Sequence, residues 1–294
     1  MEEDKPQKWR LLTTGFLNAF ENMAIDEAIL KTCSQGESSP TIRFYGWKPH
    51  AVSLGYSQQV EGTINLQACE RLGIDIVRRI TGGRAILHEE ELTYSLICPS
   101  NNPLFPSSIL GTYRKISSCL IEGFKRLDID AQLFVPKGPE VSLSEKRSNP
   151  SCFSSPSRYE ISVYGRKICG SSQRRVNGAF LQHGSILIGF DAKKLSQIMV
   201  FKGFKRGDVI DYLDRNITSV NDQVGKNIDF FELQGIFIEG FQKGLEIELR
   251  KGELNHQEHQ LKEQYLKERY LNPEWNFKMS GGSRDWHRTG SDEN

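Results

Sequence analysis

Nowhere in the 294 residues is there an apolar run near the ~20 residues that a membrane-spanning helix needs. The opening residues, MEEDKPQKWR, lack the apolar core of a signal peptide. A cytosolic protein is expected. No two of the six cysteines stand as C-x-x-C, and none pairs at metal-ligand spacing, so reduced thiols are the default. An excess of either charge is also missing: 38 Lys and Arg against 37 Asp and Glu leave a net +1. The molecule as a whole is therefore no binder of polyanions such as nucleic acid, although a local basic patch is compatible with that balance. Steady β-α-β alternation and internal repeats are absent too, which argues against a doubly wound sheet.

Hydrophobic residues make up 37% of the chain, enough for a globular core. The length suits one large domain or two small ones. In Asn18 to Lys31, residues Met23, Ile25, Ala28 and Ile29 recur at helical spacing and predict an amphipathic helix. Thr41 to Trp47 and Ala51 to Tyr56 read as strands with a tight link. Asn65 to Gly73 reads as a short helix with a glycine C-cap. A strand over DIVRRI, a turn at TGGR and a long strand or hairpin over Ala85 to Pro99 follow. Gly111 to Leu127 has helical period. Gly138 to Pro156 is polar, rich in Ser and Pro, and reads as loop. YEISVY and KICGSSQ read as strands joined by a type II′ turn at Gly165-Arg166. A further strand over GAFLQHGSILIGF and three helices complete the pattern. Hairpins mixed with helices give an α+β fold.

Two stretches carry candidate chemistry. In VRRITGGRAILH, a strand with Arg78 and Arg79 enters Gly82-Gly83 and a second strand. Glycines without Cβ allow close approach, and exposed backbone N–H groups can hold a carboxyl or phosphoryl oxygen. No G-K-[ST] follows and no helix follows, so neither a P-loop nor a dinucleotide fingerprint fits. A plain glycine hairpin with exposed arginines fits as well. His88 alone reads equally as a hydrogen-bonded strand residue. The second stretch is SNPSCFSSPSRYEISVYGRKICGSSQRR, Ser148 to Arg175. Free cysteines usually behave as small buried hydrophobes. Cys152 instead sits among Ser, Pro and Asn, either as an inert loop thiol or as a nucleophile.

RRITGGRAILHEEELTYS resembles the signature of the lipoate–protein ligase and octanoyltransferase family, related to biotin–protein ligases. NMAIDEAIL, IRFYGWKPHAVSLGYSQ, GRKICGSSQRR and LQHGSIL resemble its other motifs in the right order, over about residues 9 to 276. The resemblance implies a biotin/lipoate transferase-like fold, a mixed and mostly antiparallel sheet flanked by helices. It implies one catalytic domain over 1–275 with C-terminal helices, and by composition 276–294 reads as a disordered tail.

Ligases of this family activate free lipoate with ATP, whereas transferases move octanoyl through an acyl-cysteine. SCFSSPSRYEI most resembles the octanoyltransferase branch. Arg158-Tyr159-Glu160 stands where ligases have an Asn-Asp pair. Glu89 stands where the family usually has Asp. The implied donor is octanoyl-acyl carrier protein. The implied acceptor is a lysine of a lipoyl-type domain such as the glycine cleavage system H protein. No cofactor, metal, nucleic acid or membrane partner is implied. An ATP-dependent ligase, an octanoyl amidotransferase and a non-catalytic acyl-binding protein are the alternatives.

By the same resemblance Cys152 and Lys167 are catalytic, and Arg79, Gly82, Gly83, His88 and His183 bind substrate. The chemistry is consistent. Cysteine divides acyl transfer into thioester exchange and aminolysis, and the thiolate is the attacking form. Lys167, 15 residues on, can lower the thiol's pKa or stabilise the acyl oxyanion. A solvated strand-end lysine is the bland alternative for Lys167, and a structural hydrogen bond that for His183. Cys169 is the rival nucleophile, because residues i and i+2 of a strand share a face. Tyr45, Ile86, Leu87 and Leu181 are candidate walls for an octanoyl slot or ordinary core.

Overall fold

The protein is described here from a computed structural model over residues 6–134, 160–176 and 178–278. Cys152, the polar loop at 138–156 and the tail from 279 onward lie outside the described residues.

Among the described residues, eight strands form the larger sheet: β1 (Lys8–Leu17), β2 (Thr41–Trp47), β6 (Glu91–Pro99), β7 (Gln132–Phe134), β8 (Glu160–Val163), β9 (Arg166–Val176), β10 (Ala179–Leu187) and β11 (Glu248–Lys251). Their order is β11-β1-β2-β6-β10-β9-β8-β7. Only the β11–β1 and β1–β2 pairs are parallel; the remaining pairs are antiparallel. The smaller sheet runs β4 (Asp75–Arg78), β3 (Ala51–Leu54), β5 (Ile86–His88). The mixed, mostly antiparallel α+β architecture is the one expected.

Helices α3 (Ile109–Lys125) and α7 (Phe230–Leu245) cover one face of the larger sheet. Between them and the sheet lies the larger core, with Phe44, Tyr94, Phe124, Phe180, Phe237 and Phe241. On the other face lie α1 (Ala19–Ser34), α8 (His256–Tyr265) and the helical turns after it. Helices α4 (Ala192–Ile198) and α5 (Arg206–Asn216) pack with the smaller sheet around Val52, Leu54 and Leu195.

Several expectations are corrected. The long strand or hairpin over 85–99 is two strands in different sheets: β5 pairs with β3, and β6 with β2 and β10. The chain changes sheets at Glu89-Glu90. The hairpin turn before Lys167 is centred on Tyr164-Gly165, not Gly165-Arg166. Both residues have positive φ (48° and 77°), and Val163 pairs with Arg166. That is type I′, whose twist suits a two-residue hairpin loop. Helix α1 is not a surface amphipath. Asp26 and Glu27 are buried along with its apolar residues. Each acid has a cation: Arg43 Nη1 lies 2.8 Å from Asp26 Oδ1, and Arg269 pairs with Glu27.

The C-terminal stretch is built into this face. Glu258 is fully buried and accepts from Arg10 Nη1 at 2.7 Å. Tyr270 donates to Glu27 at 2.6 Å. Residues 276–278 continue a helical turn that the expected tail boundary would have excluded. Asn276 Oδ1 accepts from the Arg78 backbone at 2.9 Å and is buried. No helix among the described residues is long and apolar enough to cross a membrane.

Candidate active site

A cleft opens between the two sheets. Alternation along the strands builds it. From the larger sheet come Tyr45 and Trp47 on β2, Thr93 on β6, Ser185 and His183 on β10, and Gly170 and Ser172 on β9. The smaller sheet contributes Ser53, Ile86 and His88, and Arg79 just after β4 and Met23 of α1 also line the cleft. Tyr45 and Ile86 are thus walls as expected. Leu87 faces a separate hollow beside Glu89 and Phe190, and Leu181 belongs to the core under α1.

Under the cleft runs a buried polar network. Asp26 Oδ2 accepts from Tyr45 at 2.9 Å and Ser95 at 2.5 Å, and lies 3.3 Å from His183 Nδ1. Burial alone would raise the Asp26 pKa, but Arg43, His183 and Ser95 hold it below its ordinary value. His183 Nε2 meets Thr81 Oγ1 at 2.7 Å, and Thr81 meets Ser172 at 2.9 Å. Burial pushes the His183 pKa down, against the pull of Asp26, and favours the neutral ring. His183 therefore orients Thr81 at the turn and is poorly suited to carry a proton.

His88 is likewise committed. Its Nε2 meets Ser53 Oγ at 2.7 Å, its Nδ1 meets Glu91 at 2.8 Å, and its ring stacks on Trp47 at 3.9 Å. It forms a cleft wall held on three sides.

Arg79 lines the cleft, yet its guanidinium is aimed at the turn. It donates to the carbonyls of Ser53 (2.9 Å), Gly82 (2.8 Å) and Arg84 (2.8 Å). Arg78 braces the neighbouring loop instead, reaching the carbonyls of Gly55, Tyr56 and Gln58. The two arginines, open to either reading in the sequence, are the buried braces of the turn and this loop. Gly82 and Gly83 stay exposed on the turn and do not line the cleft. Glu89 pairs with Lys194 and does not line this cleft.

The strand expected through Tyr56 ends at Leu54 because Gly55 passes under the turn. A Cβ on Gly55 would stand 2.0 Å from the Gly83 carbonyl oxygen. Gly55→Ala is expected to displace the glycine turn and to cost about 1–3 kcal/mol of stability. Thermal melts of the two proteins check the effect.

Lys167 enters the site from β9. It is 6% exposed, and its Nζ lies 2.5 Å from Glu160 Oε1, itself buried. Its backbone carbonyl accepts from Thr218 N at 2.9 Å, which anchors the strand's start. The amine stands over Gly170 on the cleft wall. The solvated strand-end alternative is therefore wrong: this lysine is folded in.

Cys169 fails as the rival nucleophile. A register shift sets Ile161 opposite Cys169 and Ser162 opposite Lys167, which breaks the alternation. Cys169 consequently joins the larger core and not the Lys167 side. Burial pushes its thiol up to about 12, outweighing the nearby Lys167. Cys33, Cys69, Cys98 and Cys119 are also buried and have their thiols raised by burial. Brief alkylation of the native protein near neutral pH is expected to mark Cys152 first and these five slowly. Peptide mapping reads the order, and early marking of Cys169 would contradict it.

Asp26, Glu160, Gly55 and Gly170 are the site residues that sequence reasoning passed over. Asp26 stood inside the quoted NMAIDEAIL motif and Glu160 inside SCFSSPSRYEI, but neither stretch shows which cation its acid meets. Among the described residues, no group of three or more His, Cys, Asp or Glu could hold a metal ion.

The two sheets thus enclose a cleft beside a braced glycine turn, with the buried Lys167–Glu160 pair against Gly170 of its wall, and the class of the scaffold is that of the lipoyl protein ligases and transferases. Residues 18–242 match the lipoyl protein ligase A/B catalytic domain, and the chain belongs to that family. Among curated relatives, the octanoyltransferase LipM of Staphylococcus aureus is 41% identical over 275 residues, covering 92% of this chain and 99% of the relative. That of Bacillus subtilis is 37% identical over 277 residues, with 92% and 99% covered. Among solved structures, a bipartite lipoate protein ligase of Thermoplasma acidophilum superposes with a TM-score of 0.76 at 24% identity, covering 92% and 96% of the two chains. That likeness bears on the fold alone.

Proposed function

We infer that the chain is an octanoyltransferase of protein lipoylation that works through an octanoyl thioester on Cys152. The octanoyltransferase activity is that of its curated relatives. The observation that carries the mechanism is Lys167. A buried lysine charge is costly unless it is paired, and Lys167, paired with Glu160, is held with its amine against Gly170 of the cleft wall.

The thiolate of Cys152 attacks the carbonyl of octanoyl-acyl carrier protein. The carrier's sulfur leaves, and octanoyl rests on Cys152. The amine of a lipoyl-domain lysine, proposed to be that of the glycine cleavage H protein, then attacks the thioester. The amide forms, Cys152 leaves as thiolate, and the amine's proton is released. Lys167 donates to the acyl oxygen as negative charge grows on it, and its positive charge favours the thiolate.

Reach is no obstacle. Cys152 precedes Glu160 by eight residues, which span at most about 28 Å when extended. Glu160 is itself bonded to Lys167. Each buried methylene of the octanoyl chain contributes about 0.8 kcal/mol, so the cleft selects on chain length. We propose that residues 1–275 act as one catalytic domain, and that the enzyme works in the cytoplasm, where thiols stay reduced.

The test is transfer from octanoyl-acyl carrier protein to a lipoyl domain without ATP, followed by a mass shift of the acceptor. Turnover only with free lipoate or octanoate plus ATP would instead make the protein a ligase.

A further inference from the structure

Strand β4 lies at the end of the smaller sheet, so among the described residues one row of its backbone groups meets no strand. At Arg78 that row is taken by side chains 197 and 198 residues further along the chain. The Arg78 backbone N–H donates to Asn276 Oδ1 at 2.9 Å, and the Arg78 carbonyl accepts from Trp275 Nε1 at 2.9 Å. The fully buried guanidinium is held by the same helical turn. Its Nε donates to the Trp275 carbonyl at 2.9 Å and its Nη2 to that of Asn276 at 3.1 Å. Asn276 is fixed in its turn, because its Nδ2 donates to the Tyr270 carbonyl at 2.7 Å.

The other end of Arg78 connects this clamp to the cleft. Its Nη1 donates to the carbonyls of Gly55, Tyr56 and Gln58. Residues 55–58 belong to no helix or strand, so no ladder of their own holds them. The Tyr56 N–H donates to the Thr81 carbonyl at 2.9 Å. Thr81 Oγ1 meets His183 at 2.7 Å and Ser172 at 2.9 Å, and both of these line the cleft.

We propose that Asn276 and Trp275 are positioning residues for acyl transfer: clamped on Arg78, they keep the 55–58 loop and Thr81 in the arrangement that receives the acyl donor. The inference rests on the octanoyltransferase reading. Without the clamp the loop opens part of the time, and only the molecules in the set arrangement bind donor. The KM for the donor then rises by the inverse of that fraction. Saturating donor restores the arrangement, so kcat changes little.

The experiment compares the full chain with Asn276→Ala, Trp275→Phe and Ile116→Val. Trp275→Phe keeps a ring and loses the bond to the Arg78 carbonyl. Ile116 lies in the core between α3 and the larger sheet, and its shortening lowers stability away from the clamp. Initial rates are measured over a range of octanoyl-acyl carrier protein with a lipoyl domain in excess. Asn276→Ala is expected to raise the donor KM about three- to tenfold and to keep kcat within about twofold of wild type. Trp275→Phe moves KM the same way by less, and Ile116→Val lowers Tm without moving it. An unchanged KM in Asn276→Ala overturns the proposal, as does a loss that falls on kcat alone or an equal KM rise in Ile116→Val.

A second arm follows amide hydrogen exchange in the free proteins, with no substrate present. Peptides covering 55–58 and 79–84 are expected to exchange at least about fivefold faster in Asn276→Ala and at the wild-type rate in Ile116→Val. Unchanged exchange in Asn276→Ala overturns the proposal. If exchange quickens while none of the proteins, wild type included, transfers octanoyl, the transferase reading fails and the hold of the C-terminal turn on the loop stands. Should Asn276→Ala not fold, Trp275→Phe carries both arms on the same criteria.

Discussion

Cys152→Ser is expected to cut octanoyl transfer by roughly 10³-fold or more, with the fold intact. Thiolate is available near neutral pH, whereas a serine hydroxyl needs a general base to become comparably nucleophilic. Among the described residues, the cleft does not offer one to spare. His88 is held between Ser53, Glu91 and Trp47, and His183 between Asp26 and Thr81. Lys167 is tied to Glu160. Nor can another cysteine substitute: Cys169 belongs to the opposite core, with its thiol pushed up to about 12. The check is the initial rate of acceptor octanoylation for both proteins, with matched circular dichroism spectra.

The second large effect is on stability. Asp26→Ala is expected to cost about 3–5 kcal/mol, because it leaves the buried Arg43 guanidinium without its counter-charge. Arg43 is fully buried, and its remaining partners, Asn22 and Thr14, carry no charge. The same change removes the acceptor of Tyr45 and Ser95 and frees His183 to tilt away from Thr81. Denaturant unfolding measures the loss, and transfer activity is expected to fall with it.

Two signs of pH dependence follow from this cluster. The His183 pKa is lowered in the fold by burial. The unfolded chain therefore binds the proton first, and stability falls as pH drops below the ordinary value of 6.5. The Asp26 carboxyl is held low in the fold, chiefly by Arg43 against the cost of burial, so its contribution is complete near neutrality. It begins to be lost as pH falls below the ordinary 3.8. Both slopes run toward acid instability, and Asp26→Ala is expected to remove the lower one. A series of melts between about pH 7 and about pH 3 resolves the two windows.

Much of the scaffold was legible where local pattern and tertiary role agree. Asn18 caps α1 at the expected start, and β2, β9 and β10 lie where the apolar stretches placed them. The rest needed contacts between distant residues. Strand β1 was missed: KWRLLTTGFL mixes polar and apolar residues, and a register shift between Thr13 and Gly15 interrupts its alternation. The stretch 85–99 reads as one strand or hairpin because nothing local says that its halves join different sheets. The site shows the same division. Lys167 and the glycine turn were visible as motifs, but the braces are tertiary. Arg43 meets Asp26, and Thr81 meets His183 from 102 residues away. The i, i+2 rule misplaced Cys169 because a one-residue shift is invisible in the sequence.

The central claim is an acyl-enzyme on one particular sulfur. The most direct measurement is the peptide map of wild-type protein quenched in acid after brief incubation with octanoyl-acyl carrier protein, with neither ATP nor acceptor present. The prediction is one octanoyl group on the peptide containing Cys152, removed by neutral hydroxylamine and discharged on adding a lipoyl domain. Octanoyl on Cys169, or no acyl group on any cysteine while the acceptor is still octanoylated, would contradict it.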